Sequence, residues 1–355
     1  MTAILTIEGL TKTYWLRSGM FGPNRSLEAL ADVNLTVQAG ETLAVVGESG
    51  CGKTTLARCV SRAQRPTSGR IAYSPPDGRA PVDLASLSER ALRPWRKDIR
   101  MVFQDPYASL NPTMTVFDIV AEPLRVHRVC RGGELEDRVA WALDRIGIGH
   151  EALGRYPHAF SGGQRQRIGI ARALVLEPSL VIADEAVSAL DVSIQAQILN
   201  LLQDLKGEFG LTYLFISHDL GVVNYVADRI AVMYLGHLVE LAPAEAVFAR
   251  PRHPYTELLL DALPVPDPKR RRRARAGARG EGDRSPAGTS VGCPFRSRCR
   301  FADRRCADER PPLRPIGAEG GAVACHHADA LELKGVYPAR AGAFESVDRP
   351  INVAS

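Results

Sequence analysis

No stretch of this sequence approaches about eighteen uninterrupted apolar residues, so the pattern contains no membrane-spanning helix. The start, Met1-Thr2-Ala3-Ile4-Leu5-Thr6-Ile7-Glu8, lacks a basic residue and carries an acid early, which argues against a secretory signal. Paired C-x-x-C spacing, the usual mark of a structural zinc site, is missing among the seven cysteines. A general excess of charge is missing too. The formal net charge is +5, and Lys269, Arg270, Arg271, Arg272, Arg273 and Arg275 alone exceed it, so the rest of the chain is close to neutral and the basicity is local. What is present is 355 residues with 45% hydrophobic content, enough for one large domain and an appendage.

Two stretches carry chemistry. Thr42 to Val46 reads as a short apolar strand, followed by Gly47-Glu48-Ser49-Gly50-Cys51-Gly52-Lys53-Thr54-Thr55 and a helical pattern through Leu56 and Val60. Strand, glycine loop and helix stand in the order of a P-loop: glycines let backbone N–H groups wrap phosphates, Lys53 reaches the terminal ones and Thr54 offers a magnesium ligand. Cys51 falls where only backbone is needed and reads as a tolerated small residue. Further on, Phe160-Ser161-Gly162-Gly163-Gln164-Arg165-Gln166-Arg167 opens a helix, so a hydroxyl and unpaired N–H groups point along its positive end. Leu180-Val181-Ile182-Ala183 then reads as a buried parallel strand whose carboxyl end presents Asp184 and Glu185, one to hold a cation and one for a water. Ser188-Ala189-Leu190-Asp191 follows directly.

Phe160 to Asp191 resembles the signature motif, Walker B strand and D-loop of ATP-binding-cassette (ABC) ATPases. The resemblance implies an α/β P-loop NTPase fold of cassette type, with a mixed core sheet, an antiparallel N-terminal subdomain and a helical subdomain. It also implies a dimer, because in that family the signature of one subunit closes over ATP held by the P-loop of another. Ser161, Gly162, Gly163, Gln164 and Asp191 would then serve the partner's nucleotide. By the same resemblance Asp184, Thr54 and Gln104 hold Mg2+, Glu185 orients or deprotonates the attacking water, and His218 at the end of the strand Leu211–Ile216 reaches the terminal phosphate. Gln104 ends the apolar run Ile99–Phe103, after which Pro106 and Pro112 forbid continuation. Tyr14, ending the alternating run from Ile4, stands where the resemblance places the aromatic that stacks on adenine, with an ordinary half-buried tyrosine as the rival reading. Phe160 replaces a frequent leucine, and Ala186-Val187 replaces a frequent proline-threonine pair; neither position carries the chemistry. His158 reads as structural.

The remaining elements follow from periodicity. Residues 106–176 read as the helical subdomain, in which Leu135, Val139, Leu143 and Ile146 recur at helical spacing until Gly147. Ile194, Ile198, Leu201, Leu205 and Phe209 form one helix face ending at Gly210. Ile230–Met233 and Leu238–Leu241 read as a hairpin closing a cassette over residues 1–262, with a strand at Ser68–Tyr73 and a second N-terminal strand at Leu35–Val37 after a loop-bearing insertion, Trp15 to Ser26.

Arg252-His253-Pro254-Tyr255-Thr256 resembles the motif that opens the C-terminal extension of oligopeptide and dipeptide importer ATPases. A Pro/Gly/Arg-rich linker at 263–290 and a Cys-rich segment at 291–330 come next, then a tail at 331–355. Cys293, Cys299, Cys306 and Cys325 cluster there, which in a cytosolic chain argues for a metal site rather than disulfides. Wide gaps suit an iron–sulfur cluster, and some peptide importer ATPases carry a 4Fe-4S cluster in this extension. Zinc, free thiols, and a mixed set with His326 or His327 stay open. The arginine run suits a solvated segment, anionic lipid or nucleic acid equally.

The expected function is ATP hydrolysis at the cytoplasmic face of the membrane, driving a peptide importer. The expected partners are a second, related ATPase subunit, two permeases and an external binding protein. Nickel complexes or glutathione are alternative cargoes. A nucleic-acid-associated ABC ATPase is the rival, although such proteins usually add a second cassette or long coiled coils, which this sequence lacks; no nucleic-acid partner is expected.

Overall fold

The computed structural model describes residues 2–16, 25–263, 291–317 and 320–336. The arginine run, most of the insertion after Trp15 and most of the tail lie outside the described residues. Strand β1 (Ala3–Leu16) pairs antiparallel with β2 (Arg25–Gln38). The buried β3 (Thr42–Val46) leads into α1 (Lys53–Val60), after which β4 (Ser68–Tyr73) and β5 (Val82–Asp83) complete a four-stranded antiparallel sheet in the order β2-β1-β4-β5. Helix α2 (Glu89–Leu92) precedes β6 (Ile99–Val102), and α3 (Pro106–Ser109), α4 (Val116–His127), α5 (Gly133–Arg145) and α6 (Gly162–Leu174) form the helical subdomain. Then come β7 (Leu180–Asp184), α7 (Val192–Phe209), β8 (Thr212–Ile216), α8 (Leu220–Val226), β9 (Arg229–Tyr234) and β10 (His237–Pro243). Helices α9 (Ala244–Ala249), α10 (Pro254–Asp261) and α11 (Arg304–Asp308) and strands β11 (Arg314–Ile316) and β12 (Gly321–Val323) finish the described fold.

The second sheet runs β11-β12-β10-β9-β3-β8-β7-β6, parallel from β9 to β6 and antiparallel beyond. Strands β3, β7 and β8 are buried at every residue, as expected of parallel strands covered on both faces. Their carboxyl ends therefore converge on one edge of the sheet, where Val46, Asp184 and Ile216 hand over to the loops that carry the chemistry.

Two differences from the sequence reading have physical causes. The second N-terminal strand is much longer than Leu35–Val37, because its pairing with β1 continues back to Leu16↔Arg25 through irregularities near Ile7, Leu10 and Lys12. Bulges of that kind break the two-residue alternation that a strand signal needs. Strand β6 stops at Val102, so Gln104 sits two residues past the strand in a turn rather than on it. Among the described residues, no helix is long and apolar enough to cross a membrane.

Among the described residues, packing separates three large cores and a small fourth around Val323, Cys325 and Ala328. One lies between the antiparallel sheet and the core sheet, around Leu5, Leu43, Leu56 and Ile216; one joins the helical subdomain to α7, through Val139, Ile168, Ile198 and Leu202. In the third, Phe295, Cys293 and Cys306 of the C-terminal segment pack on Tyr234, Phe248 and Tyr255. Burying a side chain the size of Phe295 is worth about 2–3 kcal/mol, so the segment is fastened to the cassette rather than hung from it.

Candidate functional site

The loop from Gly47 to Gly52 turns tightly because two of its glycines leave no room for a side chain. A Cβ on Gly47 would lie 2.2 Å from the Met233 carbonyl oxygen, and one on Gly52 would lie 2.4 Å from the Ala29 carbonyl oxygen, with φ at +109°. Lys53, only 5% exposed, donates from Nζ to the carbonyls of Gly47 (2.7 Å) and Glu48 (2.8 Å), so its ammonium is held across the mouth of the loop. Ser49, Gly50, Cys51 and Thr55 complete the cradle and the first turn of α1. Burial pushes the Cys51 thiol up, which keeps it protonated beside Lys53.

Asp184 ends β7 and Glu185 is the first residue beyond it, in a different setting. Asp184 is buried and accepts from the Thr54 hydroxyl at 3.3 Å. Burial, opposed by that hydrogen bond and reinforced by Glu185 alongside, holds its carboxyl above the usual carboxylate range. A carboxylate and a hydroxyl oxygen 3.3 Å apart are the hard oxygen donors that a divalent ion such as Mg2+ takes, so the Asp184–Thr54 pair fits one. Glu185 adopts φ +49°, which turns its side chain out of the strand direction, and its N–H donates to Ile216 O. Its carboxylate accepts from Gln104 Nε2 at 2.8 Å and lies 3.3 Å from His218 Nδ1. The structure thus brings Gln104, Glu185 and His218, from three separate loops, onto one carboxylate.

Ser161 caps α6 in a reciprocal capping box: its Oγ accepts from Gln164 N and Gln164 Oε1 accepts from Ser161 N. Asp191 caps α7, accepting from Ile194 N and the Ser193 hydroxyl, and these hydrogen bonds hold its carboxyl below the usual range. Gly162 and Gly163 face Leu190 and Ile194, so the two helix starts lean on each other and present exposed Ser161, Gln164 and Asp191 to a shared surface. Tyr14 donates to Gln64 Oε1 at 2.5 Å and is half-buried on β1.

Comparison with known proteins identifies the family. The sequence model described as "ABC transporter" matches residues 30–188, and the one described as "Oligopeptide/dipeptide transporter, C-terminal region" matches residues 239–306. A probable peptide ABC transporter ATP-binding protein of Sinorhizobium fredii is 52% identical over 91% of this chain and 90% of its own length. The chain belongs to the oligopeptide/dipeptide class of ABC transporter ATP-binding proteins. An oligopeptide transport ATP-binding protein of Salmonella typhimurium is 48% identical over 87% of this chain and 90% of its own length. A di/tripeptide transport ATP-binding protein of Pseudomonas aeruginosa is 45% identical over 93% and 99%. Among solved structures, a dimeric post-hydrolysis ATP-binding cassette bound to ADP and phosphate aligns with TM-score 0.59 at 29% identity, covering 68% of this chain and 98% of its own. The cassette is an ABC ATPase.

The C-terminal cysteines also meet. Cys293 N–H donates to Cys306 O at 2.8 Å. Burial pushes the Cys293 and Cys325 thiols up to about 11, helped by the charge each would feel from the other cysteines of the quartet. Among the described residues, the metal-competent trio with donors within 4.8 Å of one another is Asp303, Cys306 and His327. His326 points instead to Glu309 O at 3.0 Å.

Two contacts at the P-loop had no signal in the sequence. Glu48 N–H donates to Tyr255 Oη at 2.8 Å, and the Glu48 carboxylate takes a two-pronged pair from Arg298. The nearest hint was position: Tyr255 lies in the importer motif and Arg298 between two of the clustered cysteines.

Proposed function

We propose that this cassette hydrolyses ATP to power uptake of peptides through membrane permeases fed by an external binding protein. The observation that carries the catalytic part is the meeting of Gln104 and His218 on Glu185, one residue from the Asp184–Thr54 pair. Phosphoryl transfer passes through a loose transition state, so the protein mainly positions groups and neutralises charge. The backbone from Gly47 to Thr55 cradles the phosphates and Lys53 leaves its carbonyl partners for phosphate oxygens. Glu185 takes the proton of the attacking water, Gln104 and His218 hold that carboxylate in line, and His218 contacts the terminal phosphate. Tyr14 stacks on the adenine. Thr54, Asp184 and Gln104 would hold Mg2+, which when bound would supply positive charge to offset the phosphate oxygens. Ser161, Gly162, Gly163, Gln164 and Asp191 complete the site of a partner cassette, which we take to be a related second ATPase subunit rather than an identical copy.

Peptides are favoured over nickel complexes or glutathione because the relatives with matching C-terminal regions are named for peptide transport. The cassette would sit peripherally on the cytoplasmic face of the membrane. Its proposed parts are the ATPase domain at 1–262 with the helical subdomain at 106–176, the linker at 263–290, the cysteine segment at 291–330 and the tail. We take Cys293, Cys299, Cys306 and Cys325 to hold a 4Fe-4S cluster. Four thiols gathered in one short segment, three of them buried, suit a cluster of that kind. Such a cluster would cross-link the segment.

Two measurements test the reading. Glu185→Gln keeps nucleotide binding but cuts turnover about 10³-fold; wild-type turnover in that variant would reject the base. Anaerobically purified protein is brown, with about four irons per chain; colourless, iron-free protein would remove the cluster.

A further inference from the structure

Glu48 is the second residue of the phosphate loop, and its side chain is an odd one to find there. A carboxylate beside a polyphosphate opposes binding unless its charge is offset. The offset comes from far along the chain. Arg298 Nη1 and Nη2 lie 3.0 and 2.9 Å from the two oxygens of Glu48, a parallel pair across 250 residues of sequence. The Arg298 side chain is 18% exposed and its guanidinium is held over the rings of Tyr234 (5.8 Å) and Phe295 (5.7 Å).

The backbone of Glu48 is fixed from the same side. Its N–H donates to Tyr255 Oη, and Tyr255 packs on Phe295 with ring centroids 5.4 Å apart. Its carbonyl accepts from Lys53 Nζ, the ammonium that faces the phosphates. All three polar groups of this residue are therefore committed, two of them to the C-terminal part of the chain and one to the phosphate lysine. Arg298 itself stands in a turn tightened by Arg298 N–H to Phe295 O and Cys299 N–H to Arg296 O, between Cys293 and Cys299.

We propose that Arg298 is a positioning residue for ATP binding: acting through Glu48, it makes the cysteine segment a working part of the phosphate loop. The inference rests on the ATPase reading. It takes the segment beyond anchorage, because the turn that carries Arg298 is framed by two cysteines of the quartet, and whatever orders that turn orders the loop.

The test uses the full-length chain for MgADP titration by calorimetry, and the chain purified together with its partner cassette for steady-state ATP hydrolysis. Arg298→Gln leaves the Glu48 carboxylate uncompensated and weakens MgADP binding about tenfold, with KM for ATP rising by a similar factor and kcat changed less than about twofold. Glu48→Gln binds MgADP as tightly as wild type or more so, and Glu48→Gln with Arg298→Gln returns to within about threefold of wild type. Arg298→Gln with unchanged MgADP affinity overturns the proposal. So does a double variant as weak as Arg298→Gln alone, which would make the arginine simple packing. Should Arg298→Gln fail to fold, Glu48→Gln decides alone, and a tenfold loss there overturns the proposal. Wild-type chain that does not bind MgADP overturns the ATPase reading together with this one.

Discussion

Glu240 on β10 is the buried anchor under α10, and its replacement by glutamine gives the most quantitative test of the fold. It is 1% exposed, and its oxygens accept from Arg252 N (2.8 Å), His253 N (2.9 Å) and the Thr256 hydroxyl (2.5 Å). Burial raises its carboxyl to about 7, against the opposing pull of these three donors. A carboxyl raised from about 4.5 binds its proton more tightly in the folded state. The stability it contributes is therefore full below about pH 4.5 and is lost as pH rises to about 7, after which it stays flat. At about 1.4 kcal/mol per pH unit, that loss is on the order of 3 kcal/mol. Glu240→Gln resembles the protonated form in shape and cannot titrate, so the stability difference between wild type and variant should swing by about 3 kcal/mol between pH 4.5 and 7.5 in favour of the variant. Urea denaturation followed by tryptophan fluorescence at a series of pH values measures it. A difference that is flat within about 0.5 kcal/mol over that range would refute the reasoning, and would mean that the three donors hold the carboxylate ionised throughout.

How far the sequence anticipated this molecule depends on how local each signal is. Strand, loop and helix at Thr42–Val60 are contiguous, so apolar run, glycine spacing and helical period all report on one neighbourhood, and β3 and α1 fall where they were expected. The same holds for β7 with its paired acids and for the caps of α6 and α7, since Ser161 and Asp191 bond to N–H groups three residues away. The convergence of Gln104 and His218 on Glu185 spans 81 and 33 residues and was reachable only through resemblance to a family, because nothing in the spacing says that β6, β7 and β8 lie side by side. Where resemblance was silent as well, the sequence was silent. Arg298 is one arginine among many, and its pairing with Glu48 depends on Phe295 seating against Tyr234 and Tyr255. Likewise β11 and β12 are three residues each, below the length at which alternation can be read, yet β12 extends the core sheet from β10.

Two perturbations separate binding from turnover. Gly52→Ala forces a Cβ to 2.4 Å from the Ala29 carbonyl at φ +109°, and should cost about 3 kcal/mol and abolish the thermal stabilisation that MgADP gives wild type; a variant still stabilised by MgADP would mean that the loop relaxes without losing its phosphate cradle. His218→Ala tests the opposite step. The imidazole side chain is 55% exposed, so its removal should shift folding stability by no more than about 0.5 kcal/mol. Yet Nδ1 stands 3.3 Å from Glu185 Oε1, where its loss frees the carboxylate from one of its two side-chain partners and removes a contact to the terminal phosphate. Turnover should fall about 10²-fold while MgADP affinity stays within about twofold. If turnover survives with affinity intact, Gln104 alone suffices to aim Glu185; if affinity collapses, the histidine belongs to nucleotide binding instead of the chemical step.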